Sequence, residues 1–136
     1  MRVSVVAVGR LRPPFVDDVA HYARLLGRYT RLELIEVRED AAVAARIPER
    51  AFVSLLDVAG RALDSVAFSV FLEERRASGR DICFVIGGPF GGLELGRVDQ
   101  RLSLGPLTLP HQLARVVLLE QIYRGHKILT GEPYHH

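Results

Sequence analysis

The 136-residue sequence holds one cysteine (Cys83), one lysine (Lys127) and no apolar stretch approaching the length of a membrane span. A single cysteine cannot close a disulfide within the chain, which excludes a small disulfide-stapled scaffold. Crossing a bilayer takes about 20 consecutive apolar residues, so the sequence predicts no transmembrane helix. The apolar run at residues 3–8 is too short for the hydrophobic region of a secretory signal, and we expect none.

Charge is nearly balanced, with 18 basic and 16 acidic residues and a formal net charge of +2. The length and the 49% apolar content predict one globular domain over residues 1–136 and argue against broad disorder. Apart from Lys127, every basic residue is arginine, and six arginines fall within the first 31 residues. The planar guanidinium suits phosphate recognition, but skewed codon usage gives the same excess. The composition therefore permits a nucleic-acid partner without requiring one.

Strand and helix patterns alternate along the chain. Apolar runs predict strands at residues 3–8, 32–37, 51–56 and 82–86, and a short one at 102–104. Helices are predicted from Pro13 and Pro14, over 39–47, after an Asp64 cap, around 94–101, and from Pro110 to about Leu129. Strands that are apolar on both faces are typical of a parallel sheet covered by helices on both sides. The predicted class is therefore α/β.

The glycine turn Gly87-Gly88-Pro89 directly follows the most hydrophobic strand. Open parallel sheets bind ligands beyond the carboxyl ends of their strands, which makes this turn a candidate site. Diglycine turns after strands are common, so the glycine turn alone slightly favours the alternative of a purely structural turn. The sequence lacks the dinucleotide fingerprint, the Walker motif, the hydrolase G-x-S-x-G motif and any His/Cys metal-ligand cluster. These absences disfavour the binding of dinucleotides or nucleoside triphosphates, serine hydrolysis and metal binding.

The segment between Leu104 and Pro110 is apolar and constrained by Pro106 and Pro110. If it is buried, its backbone polar groups need partners, and a bound adenine or ribose would supply them. The alternative is a plain crossover packed on the core.

The last predicted helix is apolar on more than one face, which fits either a subunit interface or a central core helix. Arg115 lies among its valines and leucines, where a cation needs an acidic partner or a phosphate. Cys83 falls inside a strand and is expected to be a core residue.

Four stretches of the sequence resemble one known family over the whole length of the chain. They are VSVVAVGRLRPPFVDDVAHYARLLGRYTRLELIEV, SLLDVAGRALDS, FVIGGPFGG and, most specifically, LSLGPLTLPHQLARVVLLEQIYRGHKILTGEPYHH. The chain is similar to the RlmH family, small bacterial SPOUT-class methyltransferases that modify large-subunit ribosomal RNA. The resemblance implies an α/β, SPOUT-type parallel sheet flanked by helices, with a C-terminal trefoil knot.

The same resemblance implies a cytoplasmic homodimer, joined largely through the long helix, that uses S-adenosylmethionine and no metal or membrane. Its substrate would be N3 of a pseudouridine in 23S ribosomal RNA within the assembled ribosome. Three loops would hold the cofactor and contribute Leu56, Gly87, Gly88, Leu104, Gly105, Pro106, Leu107, Thr108 and Leu109.

By the same resemblance, the tail supplies Tyr134 and His135 as catalytic residues that reach a partner subunit's cofactor pocket. The expected RNA contacts are Arg10, Arg12, Arg115 and His136.

Three features depart from the family's pattern. His136 stands where the family usually has arginine or lysine. In the glycine turn, Phe90 stands where the family has a small or polar residue, and Gly92 stands where it often has leucine. The connection between the second and third predicted strands is also shorter than usual. The departures at His136 and Phe90 keep a catalytically impaired, cofactor-binding or ribosome-binding homologue as an alternative. A flavodoxin-like domain for another small molecule is a further alternative, disfavoured by the lack of a phosphate loop.

Overall fold

The structure, a computed structural model, describes residues 1–136. Its elements are β1 (Arg2–Val8), α1 (Phe15–Leu26), β2 (Arg31–Val37), two 3₁₀ turns (Asp40–Ala42 and Ala44–Arg46), β3 (Phe52–Ala62), α2 (Ser65–Ala77), β4 (Ile82–Ile86), β5 (Gln100–Ser103) and α3 (His111–Thr130).

The five strands form one parallel sheet in the order β2-β1-β4-β3-β5. The central strands β1 and β4 are paired from Val3 with Ile82 to Ala7 with Ile86, and all five residues of β4 are buried. The predicted α/β class with a parallel sheet is confirmed. Because the strands are parallel, the segments that follow them meet at one edge of the sheet.

Both faces of the sheet are covered, but all three α-helices lie on one face. On that face, Phe84 and Ile86 of β4 pack in one core with Phe68 of α2 and Leu118 of α3. On the other face, Cys83 and Val85 pack against the 3₁₀ turns and the irregular segment 87–99. The expectation of helices on both sides therefore needs correction, since the predicted 39–47 helix is only two 3₁₀ turns.

The helix predicted around residues 94–101 is wrong. Residues 93–99 are irregular, and β5 begins at Gln100, two residues before the predicted strand. Asp99 explains the difference, because its backbone amide donates to Val53 O at 2.9 Å and its carboxylate accepts from Val53 N at 2.8 Å. These bonds to β3 hold the approach to β5 in an extended form that a helix cannot adopt.

Strand β3 runs past its predicted end at Leu56 and contains an irregularity between Leu56 and Arg61, opposite β5. Gly60 lies in this irregular stretch against the β5 backbone. A Cβ placed on Gly60 would be 2.6 Å from the carbonyl carbon of Arg101 and 2.7 Å from its oxygen. Only glycine allows the two backbones to approach this closely.

We expect Gly60→Ala to lower the free energy of unfolding by about 1–3 kcal/mol, because the new methyl group overpacks against backbone that cannot rotate away. Gly96→Ala is the matched control, since a Cβ there meets nothing within 4 Å. Urea unfolding of both variants measures the difference. Equal stability of the two variants would contradict the prediction.

Helix α3 lies between α1 and α2 on the helical face and carries the fully buried Leu118 and Ile122. It ends at Gly131, whose left-handed φ of 71° caps the helix. Within one protomer α3 is therefore a central core helix, while Leu113 and Val117 stay half-buried. No helix of the structure combines the length and apolar character needed to cross a membrane.

Candidate functional site

A cavity of about 410 Å³ opens at the carboxyl edge of the sheet. It lies between the end of β3, the glycine turn after β4, the segment after β5 and the start of α3. This volume falls in the range of small-molecule sites, roughly 300–1,000 Å³. The residues predicted from the resemblance to hold the cofactor line it, with the exception of Pro106: Leu56, Gly87, Gly88, Leu104, Gly105, Leu107, Thr108 and Leu109.

The segment from Leu104 to Pro110 offers free backbone groups at the cavity. The amides of Leu107, Thr108 and Leu109 donate to no other group of the chain. Upstream, the Ser103 hydroxyl donates to Gly105 O at 3.0 Å and accepts from Gly105 N at 3.1 Å, which fixes the turn. The segment is less buried than its composition suggested, because the Leu107 side chain is 76% exposed. Water reaches these amides, and a ligand in the cavity can replace it.

The glycine turn after β4 is shaped by close packing as well as by the cavity. A Cβ on Gly87 would be 3.3 Å from Leu93 Cβ, and one on Gly88 would be 3.4 Å from Val8 Cγ1. Close packing is therefore a structural reason for glycine at both positions, and both glycines also line the cavity. Larger residues here would displace the turn that forms one wall.

Sequence reasoning missed the polar side chains of the cavity: Asp57, Glu94, Arg101 and His111. Asp57 pairs with Arg101 at 3.1 Å, and its other carboxylate oxygen accepts from Ala59 N at 2.9 Å. Burial, assisted by nearby Arg115 and Arg12, lowers the pKa of His111 below its usual value. Sequence position could have indicated two of these residues as site candidates, because Asp57 lies just beyond the predicted third strand and His111 directly follows Pro110.

Arg115 has the acidic partner that its apolar neighbourhood required. Its side chain is 6% exposed, and Nη1 donates to Glu36 Oε2 at 2.6 Å. Nη2 donates to Gly9 O at 2.5 Å and to Val8 O at 3.4 Å, which ties α3 to the end of β1. Burial alone would raise the pKa of Glu36, but hydrogen bonds from Leu11 N and Arg115 hold it below its usual value.

The arginine-bearing loop after β1 is fastened to the first turn of α3. Gln112 Nε2 donates to Arg10 O at 2.7 Å, and Arg12 N donates to Gln112 Oε1 at 2.7 Å. These backbone contacts leave Arg10 and Arg12 exposed. Since Gln112 follows the cavity residue His111 directly, the two arginines lie at the same edge of the sheet as the cavity.

The C-terminal tail folds back on the other half of α3. The Tyr134 ring packs edge-on against Tyr123 with 4.9 Å between centroids, and the Arg124 guanidinium lies 4.9 Å from the Tyr134 ring. Burial and neighbouring Glu120 raise the pKa of Tyr134 to about 12. His135 Nδ1 is 3.0 Å from Arg124 Nη1, and His136 is exposed.

Glu132 anchors the start of this tail. Its carboxylate accepts from Lys127 Nζ at 3.0 Å, from Thr130 Oγ1 at 2.8 Å and from the Tyr29 hydroxyl at 2.9 Å. These three hydrogen bonds lower the pKa of Glu132 to about 2. The tail therefore leaves α3 in a fixed direction.

The structure separates Tyr134 and His135 from the cavity of their own chain. The cavity touches α3 at His111 and Ala114, whereas the tail packs on Tyr123 and Arg124. At 1.5 Å per residue the two places lie roughly 15 Å apart along the helix. No group of three or more His, Cys, Asp or Glu side chains is placed to hold a metal ion.

Comparison with known proteins gives consistent matches over the whole chain. A family model described as "Predicted SPOUT methyltransferase" matches residues 1–135. A ribosomal RNA large subunit methyltransferase H from Anaeromyxobacter sp. is 43% identical over 152 residues, covering 99% of both chains. Proteins of the same name from Carboxydothermus hydrogenoformans and Gluconacetobacter diazotrophicus are 37% and 42% identical, covering 99% and 98% of this chain and 99% and 96% of their own.

Proposed function

The chain belongs to the SPOUT methyltransferase family, and from this premise we propose that it methylates N3 of a pseudouridine in 23S ribosomal RNA, with S-adenosylmethionine as donor and the assembled ribosome as substrate. Its relatives named ribosomal RNA large subunit methyltransferase H support an RNA substrate. The observation that carries the proposal is the cavity at the carboxyl edge of the sheet, walled by the glycine turn and the Leu104–Pro110 segment.

The residues of the cavity fit this cofactor. Leucines on the β5 side and the free amides of Leu107, Thr108 and Leu109 suit a flat adenine that needs both apolar contact and backbone hydrogen bonds. The carboxylate of Glu94 suits the positive charges of the sulfonium and ammonium groups, whereas Asp57 is already paired with Arg101. When bound, the cofactor supplies an electrophilic methyl group, so no metal is needed.

The acceptor requires a group that takes a proton, because N3 of pseudouridine is an imide nitrogen that carries one at neutral pH. We assign this role to His135, since an imidazole accepts a proton near neutral pH. We assign to Tyr134 the positioning of the target base after that base leaves its stack. The Tyr134 ring would contact the base, and the Arg124 guanidinium already covers one side of this ring.

The roughly 15 Å between tail and cavity supports a homodimer in which the tail of one subunit completes the site of the other. Apolar surface for that contact is available near the start of α3. Leu113 and Val117 are half-buried, and Leu107, in the segment before the helix, is exposed. Two identical subunits related by a twofold axis would form two such composite sites.

We also propose that the C-terminal part is knotted. Strands β4 and β5 lie on either side of β3. Helix α2 leads from β3 to its neighbour β4 on the helical face, residues 87–99 cross β3 on the opposite face to reach β5, and α3 returns to the helical face. Passage of consecutive connections over both faces of one strand is the arrangement from which a knot can form.

Recognition of RNA is assigned to Arg10, Arg12 and His136, which are exposed. Phosphate contacts of this kind fix the position of an enzyme on RNA. Arg115, which we expected among them, already has Glu36 and two backbone carbonyls as partners. Its role in the proposal is to hold the loop that carries Arg10 and Arg12.

Mass spectrometry of ribosomal RNA tests the function. In a bacterium that lacks its own enzyme of this family, expression of the chain should restore an N3-methylated pseudouridine in 23S RNA. Calorimetry should show S-adenosylmethionine binding to the purified chain. Binding of the cofactor without the modification would instead establish the catalytically impaired homologue, and absence of both would overturn the proposal.

A further inference from the structure

Phe90 is the most exposed large apolar side chain of the molecule, at 99%. It belongs to neither hydrophobic core and does not line the cavity. Single exposed apolar residues are ordinary on protein surfaces, so exposure alone indicates nothing. The position of the ring is what distinguishes it.

Phe90 lies at the tip of a hydrogen-bonded turn whose first and last residues, Gly88 and Gly91, line the cavity. Gly91 N donates to Gly88 O at 3.2 Å, with Pro89 and Phe90 as the two central residues. Proline in the first central position presets the backbone of such a turn. Gly88, Gly91 and Gly92 all line the cavity. The turn therefore holds Phe90 between glycines that line the cavity.

The space beside the ring is open. Gly91 and Gly92 have left-handed φ values of 67° and 74°, and a Cβ on either would meet nothing within 4 Å. The Phe90 side chain itself is almost fully exposed, so no other part of the chain covers the ring. A planar group that projects from the cavity mouth has room to lie against Phe90.

A loop that carries two arginines begins beside the same turn. A Cβ on Gly88 would be 3.4 Å from Val8 Cγ1, so the turn rests on the end of β1. The chain continues from there into the loop with exposed Arg10 and Arg12. Single-stranded RNA is commonly bound by an aromatic ring that stacks on a base together with basic side chains that contact the phosphates.

We infer that Phe90 is a substrate-positioning residue that stacks on an unpaired base of the RNA at the mouth of the cofactor cavity. This inference rests on the proposed function and adds a contact to it. Stacking binds the base before and during the reaction alike, so its loss raises KM for ribosomes and leaves kcat nearly unchanged.

The test is steady-state methyl transfer by the full-length chain to ribosomes from a bacterium that lacks the modification. Phe90→Ala and Phe90→Leu should raise KM about 5- to 150-fold, as expected from the loss of one stacked base. Phe90→Trp should keep KM near the wild-type value, because it retains an aromatic face. Val70→Ala, which removes another exposed apolar side chain, on α2, is the control and should behave as wild type.

Two further measurements separate stacking from other roles of the ring. Affinity for S-adenosylmethionine, by calorimetry, and the oligomeric state, by sedimentation, should be the same for Phe90→Leu and wild type. A KM of Phe90→Leu within twofold of wild type, a parallel loss of cofactor affinity, or dissociation of the subunits would each overturn the inference. An inactive wild-type chain would overturn the proposed function itself, and this inference with it.

Discussion

Replacing His135 with alanine should lower the rate of methyl transfer by about 10²–10⁴-fold, the usual contribution of a positioned acid–base group. Stability should change little, because the His135 side chain is exposed and its one polar contact is with Arg124. Cofactor affinity should also persist, since the cavity is lined by other residues and the proposed role of His135 is to accept the proton of the RNA base. Single-turnover transfer to ribosomes measures the rate directly.

His21→Ala is the matched control, because His21 is also exposed and its Nδ1 also faces an arginine, Arg24, at 3.5 Å. It should transfer methyl groups at the wild-type rate. If His135→Ala does the same, His135 is not the base, and another group must take the N3 proton.

Mixed dimers test whether the tail acts across the subunit boundary. Gly105→Val should disable the cavity, because Gly105 lines it and its φ of 125° strains any side chain. Neither this variant nor His135→Ala should be active alone. Exchange of subunits between them should restore about a quarter of the wild-type rate, since half of the dimers are mixed and each has one complete site. No restored activity would show that the tail serves its own chain.

Arg115→Met should destabilise the fold by about 3 kcal/mol. Methionine keeps most of the apolar volume, but Glu36 and the carbonyls of Val8 and Gly9 lose their donor. Breaking a buried ion pair typically costs 3–5 kcal/mol, and the lower end applies because the Glu36 side chain is 43% exposed. The midpoint and slope of urea unfolding give the change in free energy.

Arg76→Met is the comparison for this effect, because Arg76 pairs with Glu73 on the surface of α2. Solvent screens that pair, so its loss should leave stability almost unchanged. Similar unfolding midpoints for the two variants would mean that the Arg115 contacts contribute no more than a surface pair.

The strands and helices of the core were predictable because their apolar periodicity is local. The predicted span 82–86 coincides with β4, and the helix predicted from Pro110 to about Leu129 corresponds to α3. The helix expected around 94–101 failed because bonds between Asp99 and Val53, 46 residues apart, override local preference.

The candidate site, too, was predictable from the sequence only in part. The glycine turn and the Leu104–Pro110 segment stood out by composition, and the structure places both at one cavity. Asp57 and Arg101 did not stand out, because their pairing depends on the irregular stretch of β3 opposite β5. The resemblance, rather than any pattern of spacing, was the source of the roles given to Tyr134 and His135.

The hydrogen bonds between α3 and the loop after β1 also affect when the protein can fold during its synthesis. Gln112 and Arg115 bond to backbone groups of residues 8–12, which lie 100 to 107 positions earlier. A translating ribosome releases those first residues long before it adds α3. The end of β1 and the loop after it therefore lack these hydrogen-bond partners until α3 has been made. The nascent chain cannot close the cavity, or present Arg10 and Arg12 in their final positions, until α3 has been made. An enzyme proposed to modify ribosomes would thus become competent only after α3 has emerged from the ribosome that made it.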